Sequence, residues 1–251
     1  MEANSEADAT EFLWVELNEA AVAQLNAGQS VVACEKWQEA FGIAQQFGGN
    51  DPRLASSLNN LAIVHRMRCN FVEAEENYQR AIVNWQAASA WVDQMHFTPR
   101  ARSSLFHLRM EQKHKQEYRR IAIKKYQALL PAGRAATRNN LAELYHSTNR
   151  QDLAEPLYAQ ALQERSQAMG ADEPTTAIIR ENGEILGAQT ANRSRKPPSH
   201  RSIMDPRTFS AQSTHNRWII DEPAEFTDEG RLMAAILLTP ALDHKHMSSV
   251  S

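Results

Sequence analysis

Apolar residues recur with the period of an α-helix from Glu11 to about Gly187. Proline falls where helices should begin, because the first helical position makes no use of a backbone N–H and a polar neighbour can cap the exposed donors. The sequence therefore predicts a succession of helices. Their starts are predicted at Asp51-Pro52, at Thr98-Pro99 and at Glu173-Pro174, the last capped from Asp172.

Glycines mark the predicted helix ends, because glycine takes the left-handed cap conformation without a steric cost. The predicted ends are Gly28, Gly48-Gly49 and Gly170. Hydrophobic content of 42% is enough for a core, and 7% aromatic residues with few glycines suits a helical protein better than a sandwich of sheets.

The chain contains an internal repeat. Leu58-Asn-Asn-Leu-Ala62 returns as Arg138-Asn-Asn-Leu-Ala142, a displacement of 138 − 58 = 80 residues. Extending the match in both directions predicts copies at about 14–48, 54–88 and 134–168, followed by a single helix at 174–188. The shared apolar positions are Ala74, Tyr78 and Ala81 with Ala154, Tyr158 and Ala161, and with Ala33, Trp37 and Ala40 in the first copy.

The spacing leaves room for one further copy at about 97–130. Arg102 and Arg119 fall there at positions where the other copies have apolar residues, so this copy is degenerate and basic. A helical hairpin is still expected, either longer or shifted. Throughout the array, small alanines let helices approach closely while Tyr78, Tyr158 and Trp37 fill the space between layers.

The repeated unit resembles the tetratricopeptide repeat of about 42 residues that is typical of kinesin light chains. The resemblance covers about 14–188 and departs from the pattern at the turn inside each pair, where Cys69 and Asn149 replace the glycine that Gly28 retains. It implies an all-α, right-handed superhelix of stacked helix hairpins. It is carried by Leu58, Asn60, Leu61, Ala62, Ala74, Glu75, Tyr78 and Ala81, and by Asn140, Leu141, Ala142, Leu144, Tyr145, Ala154, Glu155, Pro156, Tyr158 and Ala161.

The same resemblance implies a non-catalytic adaptor or scaffold that binds a peptide segment of a partner in a concave groove lined by the first helix of each pair. Asn60, Asn140 and Asn182 occupy the position that contacts the peptide, and Glu19 replaces the amide in the first copy. A carboxamide suits that task because it both donates and accepts hydrogen bonds. The expected groove residues are Asn18, Asn59, Asn60, Ile63, Arg66, Asn139, Asn140, Glu143, His146 and Asn182.

Charge is unevenly distributed although the net charge is only −3. Residues 1–10 form an acidic N-terminal tail, and residues 100–125 are rich in Arg, Lys and His. Such runs most often form solvated faces. The basic segment also allows two other interpretations, contact with an acidic partner and association with nucleic acid. Glu111 and Glu117 interrupt the basic run and disfavour the second. The acidic partner would meet Arg109, Lys113, Arg120 and Lys124.

No pattern indicates catalysis, a metal site or a cofactor. Cys34 and Cys69 form no Cys-x-x-Cys pair, and His107, His114, His244 and His246 lack the spacing of a ligand set. The acidic start lacks the apolar core of a signal peptide, and the longest apolar run, Leu232 to Leu238, is too short to span a membrane. We expect a cytoplasmic protein that is not an enzyme and does not bind membranes.

Beyond the repeat domain at 11–190, the sequence predicts a basic flexible linker at 191–216 and a terminal segment at 217–251. That segment combines Trp218-Ile-Ile, an acidic stretch from Asp221 to Glu229 and a short apolar helix. It either caps the exposed end of the array or folds back on the groove or the basic segment, so that a client must displace it. Self-association by end-to-end stacking is a further possibility.

Overall fold

The computed structural model describes residues 2–94 and 106–194, and these residues are helical apart from short turns. No strand occurs among them, in agreement with the expected all-α class. The helices are α1 (Glu2–Asn26), α2 (Ser30–Ala44), α3 (Pro52–Met67), α4 (Phe71–Gln94), α5 (Phe106–Ser147), α6 (Gln151–Met169) and α7 (Pro174–Ser194).

The predicted copies coincide with helix hairpins. The pairs α1 with α2 and α3 with α4 pack closely, and the C-terminal third of α5 pairs with α6 while α7 packs against both. The expected stack of tetratricopeptide-like hairpins is therefore confirmed. The small repeat positions Ala74, Ala81, Ala154 and Ala161 are fully buried, as the close approach of neighbouring helices requires.

The turn inside each hairpin has the same conformation in all three copies. Gly28, Cys69 and Asn149 have φ values of 77°, 60° and 64°. The next residue donates its N–H to the carbonyl five residues back in each case, as in Asn70 to His65 (2.9 Å) and Arg150 to Tyr145 (2.8 Å). This is the Schellman end of a helix. The turn residue therefore keeps the left-handed conformation even in the two copies where it is not glycine.

Two of the predicted helix starts can be compared with the structure. Asp51 caps α3, because its carboxylate accepts the Arg53 N–H at 2.9 Å. The cap predicted for α7 was wrong: Glu173, not Asp172, accepts the backbone N–H of Thr176 at 2.8 Å. The longer side chain of Glu173 also reaches Arg165 on α6, so one carboxylate serves both contacts. The predicted start at Thr98-Pro99 lies outside the described residues.

The hairpin expected at 97–130 is not formed by the residues described there, because residues 106–147 make one helix of 42 residues. The middle of this helix packs against α4, which has 24 residues. Tyr126 and Leu130 of α5 join Trp85, Ala88 and Val92 of α4 in a buried cluster. Trp14 and Leu17 of α1 and Ala40 and Ala44 of α2 belong to the same cluster. The degenerate stretch thus lengthens two helices and fills the core between them.

At its ends the described chain departs from the expected divisions. Helix α1 begins at Glu2, so most of the acidic segment 1–10 belongs to the first helix. Helix α7 continues to Ser194, four residues into the range predicted as linker. The rest of that linker and the whole terminal segment 217–251 lie outside the described residues, as does residue range 95–105.

Candidate functional site

Six asparagine side chains form one hydrogen-bonded row across the first helices of the repeats. Asn18 donates to the backbone carbonyl of Trp14 at 2.8 Å, and Asn60 donates to Asn18 at 3.3 Å. The row continues from α3 to α5 and from α5 to α7. Its further donor–acceptor pairs are Asn59 to Asn60 (3.3 Å), Asn140 to Asn59 (3.0 Å), Asn139 to Asn140 (3.4 Å) and Asn182 to Asn139 (2.9 Å).

The amide row, Asn18, Asn59, Asn60, Asn139, Asn140 and Asn182, is buried in this structure. The exposed fractions of these six residues are 0–2%. A buried carboxamide costs free energy unless it is hydrogen-bonded, and the row meets that requirement by linking α1, α3, α5 and α7. The asparagines thus have a structural role that packing alone did not suggest. Their contact with a client stays a prediction.

The remaining predicted groove residues lie on α3 and α5, the two middle helices of the row. Arg66 of α3 donates to Glu143 of α5 at 3.4 Å, and His146 lies 4.0 Å from the same carboxylate. Tyr158 of α6 donates to Glu143 at 2.6 Å, and His146 donates to Gln189 of α7 at 2.8 Å. Arg66 and Ile63 are buried, whereas Glu143 and His146 are partly exposed. Four helices therefore meet at this polar cluster.

The tyrosine equivalent to Tyr158 has different surroundings. Tyr78 occupies the same repeat position, but the residue matching Glu143 is Ile63 (143 − 80 = 63), which cannot accept a hydrogen bond. Among the described residues the Tyr78 hydroxyl has no hydrogen-bond partner. Burial raises the pKa of Tyr78 far above its ordinary value, and the Glu143 charge adds to this effect, whereas the nearby Arg66 guanidinium opposes it. The buried tyrosine hydroxyl therefore has a carboxylate acceptor in one repeat and none in the equivalent position of the other.

A second charged group joins α4 to the turn before α6. Arg150 donates to Glu75 at 2.6 Å, and the Tyr145 hydroxyl donates to the same residue at 2.7 Å. The Arg150 guanidinium also lies over the Tyr145 ring, 4.4 Å from its centroid. Burial and the Glu75 hydrogen bond raise the pKa of Tyr145. These contacts hold neighbouring repeats in register.

The basic segment places exposed cations on α5. Arg120 and Lys124 are both exposed to solvent and lie four residues apart, on one helix face. Arg109 and Lys113 belong to the same helix, but their side chains lie outside the described part of the structure. An acidic partner at these four residues therefore stays a prediction.

Sequence reasoning missed two contacts between the hairpins. Trp14 donates its indole N–H to Ser57 at 2.8 Å, and Trp85 donates to Thr137 at 3.1 Å. Ser57 and Thr137 are 137 − 57 = 80 residues apart and so hold the same repeat position. The signal available in the sequence was a hydroxyl residue at the same position of two repeats.

The described residues contain no cluster of three or more His, Cys, Asp and Glu side chains able to hold a metal ion. Within the same residues, no helix combines the length and the apolar character needed to cross a membrane.

Comparison with known families agrees with this geometry. One family model, described as tetratricopeptide repeat, matches residues 11–86, which comprise most of α1 to α4. A second model with the same description matches residues 134–175, from the C-terminal third of α5 to the start of α7. The stretch between the two matches contains the part of α5 that departs from the repeat. No curated protein matches the chain. Residues 11–86 and 134–175 therefore contain tetratricopeptide repeats, and the families they match are typical of kinesin-light-chain-like repeats.

Proposed function

We propose that the protein is a non-catalytic scaffold whose inner helices, α1, α3, the C-terminal part of α5 and α7, receive a peptide segment of a partner protein. Tetratricopeptide repeats are in general protein-interaction modules, which supports the class of function. The amide row carries the choice of surface, because it runs through these four helices and no others. The protein would act in the cytoplasm.

The degree of burial suggests where a client makes first contact. Asn60 and Asn140 are fully buried, whereas the side chains of Glu143 and His146 are 21% and 15% exposed. A peptide would therefore meet Glu143 and His146 first and would reach the row only where the amides become accessible. An asparagine of the row can then exchange its neighbouring asparagine for a peptide group of the client, because both offer the same amide donor and carbonyl acceptor.

Selection of peptides from a random 12-residue display library on the full-length protein tests this assignment. Enriched peptides should bind His146→Ala at least tenfold more weakly than the wild type, and the Asn60→Ala/Asn140→Ala double variant more weakly still. Lys36→Ala is the matched control, since Lys36 pairs with Glu39 on α2 away from the row. Circular dichroism checks that each variant is folded.

Peptides that bind all groove variants like the wild type, but lose affinity for Arg120→Ala/Lys124→Ala, would move the interface to the basic face of α5. Binding of nucleic acid would show a steep loss of affinity with salt. Stacking of arrays end to end is a third candidate function, and it would show in light scattering as a molar mass that rises with protein concentration.

A further inference from the structure

A polar cleft of about 550 Å³ opens between α5 and α6, on a different face of α5 from the amide row. Gln127, Pro131, Arg134 and Arg138 line its α5 side and succeed one another at intervals of four, three and four residues, which places them on one helix face. Glu164 and three glutamines line the α6 side. The cleft is therefore rich in hydrogen-bonding groups and contains two cations and one carboxylate.

The two arginines converge on one carboxylate. Arg134 donates its Nε to Glu164 at 3.2 Å, and Arg138 donates an Nη to the same oxygen. Their side chains are 18% and 11% exposed, so water screens them incompletely. One carboxylate uses few of the donors that two guanidinium groups carry, and the net charge of the cleft is positive. A second carboxylate from outside would complete the site.

Pro131 leaves a backbone carbonyl without its helical donor on the α5 side of the cleft. Proline has no backbone N–H, so it cannot donate to the carbonyl four residues earlier in the helix. That carbonyl belongs to Gln127, which also lines the cleft. The α5 side of the cleft thus offers arginine donors for a carboxylate and a backbone acceptor for an N–H group. This combination suits the side chain and the main chain of an acidic peptide.

The cation face continues along α5 towards its N-terminus. Arg120 and Lys124 are exposed and precede Gln127 by seven and three residues, so they lie on the face that lines the cleft. No Asp or Glu occurs in the sequence between Glu117 and Glu143. On α4, Asp93 accepts a hydrogen bond from Gln127 at 3.2 Å. Arg120, Lys124, Arg134 and Arg138 thus form a basic face extending over about 27 Å.

We infer that this basic face and its cleft bind the chain's own acidic segment, residues 221–229. That segment carries Asp221, Glu222, Glu225, Asp228 and Glu229 and no cation. Charge is complementary, and one carboxylate would enter the cleft beside Glu164. The contact is separate from the amide row, so it does not depend on the proposed groove function. An acidic partner would compete with the segment for the same face.

The position of α7 makes the contact possible. Gln189 near the end of α7 touches His146, which lies about 12 Å along α5 from Arg138. Between Ser194 and Asp221 the chain has 220 − 194 = 26 residues, which can span at most about 90 Å. That length is enough to reach the basic face, and a segment tethered to the same chain binds without the cost of bringing two molecules together.

The test uses the full-length chain and a fluorescein-labelled peptide of residues 218–230 as the probe. A second full-length chain has its tail neutralised by Asp221→Asn, Glu222→Gln, Glu225→Gln, Asp228→Asn and Glu229→Gln. Fluorescence anisotropy should show the peptide binding the neutralised chain at least tenfold more tightly than the wild type, because the wild-type segment already occupies the face. Raising the salt concentration from 50 to 500 mM should weaken the binding.

Site variants in the neutralised chain identify the surface. Arg120→Gln and Arg138→Gln should each weaken peptide binding several-fold, whereas Arg80→Gln, an exposed arginine of α4, should not. If the Arg138→Gln variant fails to fold, the peptide affinity of the Arg120→Gln variant, whose side chain is exposed, decides whether the basic face is the binding surface. Equal affinity for both chains would show that the face accepts acidic segments only from other molecules and would overturn the inference. Absence of binding, or binding unaffected by both site variants, would overturn it as well.

Discussion

Tyr78 and Tyr158 hold equivalent positions, yet only Tyr158 has a carboxylate to bond, and this difference predicts opposite mutational effects. Tyr158→Phe should lower the free energy of unfolding by about 1–2 kcal/mol, because it removes a hydrogen bond to a charged acceptor. Tyr78→Phe should leave stability unchanged or raise it by up to about 1 kcal/mol, because the buried hydroxyl lacks a partner among the described residues. Urea denaturation of both variants measures the difference. Equal losses would contradict it.

Cys69 is an exposed side chain in a left-handed backbone conformation, with φ of 60°. Only glycine adopts this conformation without a penalty, and the penalty for other residues is about 1–2 kcal/mol. Cys69→Gly should therefore raise the free energy of unfolding by up to about 1 kcal/mol. Asn149→Gly is the matched control and should gain less, because asparagine tolerates the left-handed region. A thermal melt in which Cys69→Gly is less stable than the wild type would refute the expectation.

At the scale of the element, α5 contains two residues that usually weaken a helix, and they should respond in opposite ways to alanine. A Cβ atom at position 133 would lie 2.7 Å from two atoms of the buried Trp85 ring. Gly133→Ala should therefore destabilise the protein by about 1–3 kcal/mol, although alanine favours helices. Pro131→Ala restores a helical hydrogen bond and should raise stability by about 1 kcal/mol. Chemical denaturation of both variants is the measurement, and a stabilised Gly133→Ala would contradict the model of packing.

The helix α5 also shows the limit of what the sequence revealed about the fold. The hairpins at both sides of it were predictable, because alanine and tyrosine positions recur at a fixed displacement. A single helix through 106–147 was not, since Pro131 and Gly133 are strong signals of a boundary. Trp85 overrides the second signal by packing against Gly133. Periodicity reports which face is apolar, but not which distant helix covers it.

The same limit applies to the candidate site. The sequence located the asparagines at equivalent positions, because the repeat makes them conspicuous. It could not show that Asn60 bonds Asn18 or that Asn140 bonds Asn59, since these contacts depend on how neighbouring hairpins stack. Nor could it show that the row is buried. Spacing within a repeat defines the helix face of a side chain, whereas its partner is determined by the relation between repeats.

At the scale of the whole molecule, the end of the array depends on one carboxylate that links three helices. Glu173 caps α7 through Thr176, and it accepts two hydrogen bonds, of 3.0 and 3.1 Å, from Arg165 of α6. Arg165 in turn donates to the Ala132 carbonyl of α5 at 3.3 Å. Burial alone would raise the pKa of Glu173, but the hydrogen bonds from Arg165 and from Thr176 and Thr175 outweigh it and lower the pKa to about 2.

This lowered pKa predicts how stability changes in acid. A carboxylate whose folded pKa lies below its ordinary value of 4.5 stabilises the protein fully above about pH 4.5 and progressively less as the pH falls towards 2. Glu173→Gln should lower the free energy of unfolding by about 2 kcal/mol at pH 7, and its difference from the wild type should shrink between pH 4.5 and 2. The exposed Glu184→Gln on the same helix is the control. Urea denaturation across this range measures both variants, and a Glu173→Gln difference that stays constant with pH would show that the carboxylate charge does not hold α7 in place.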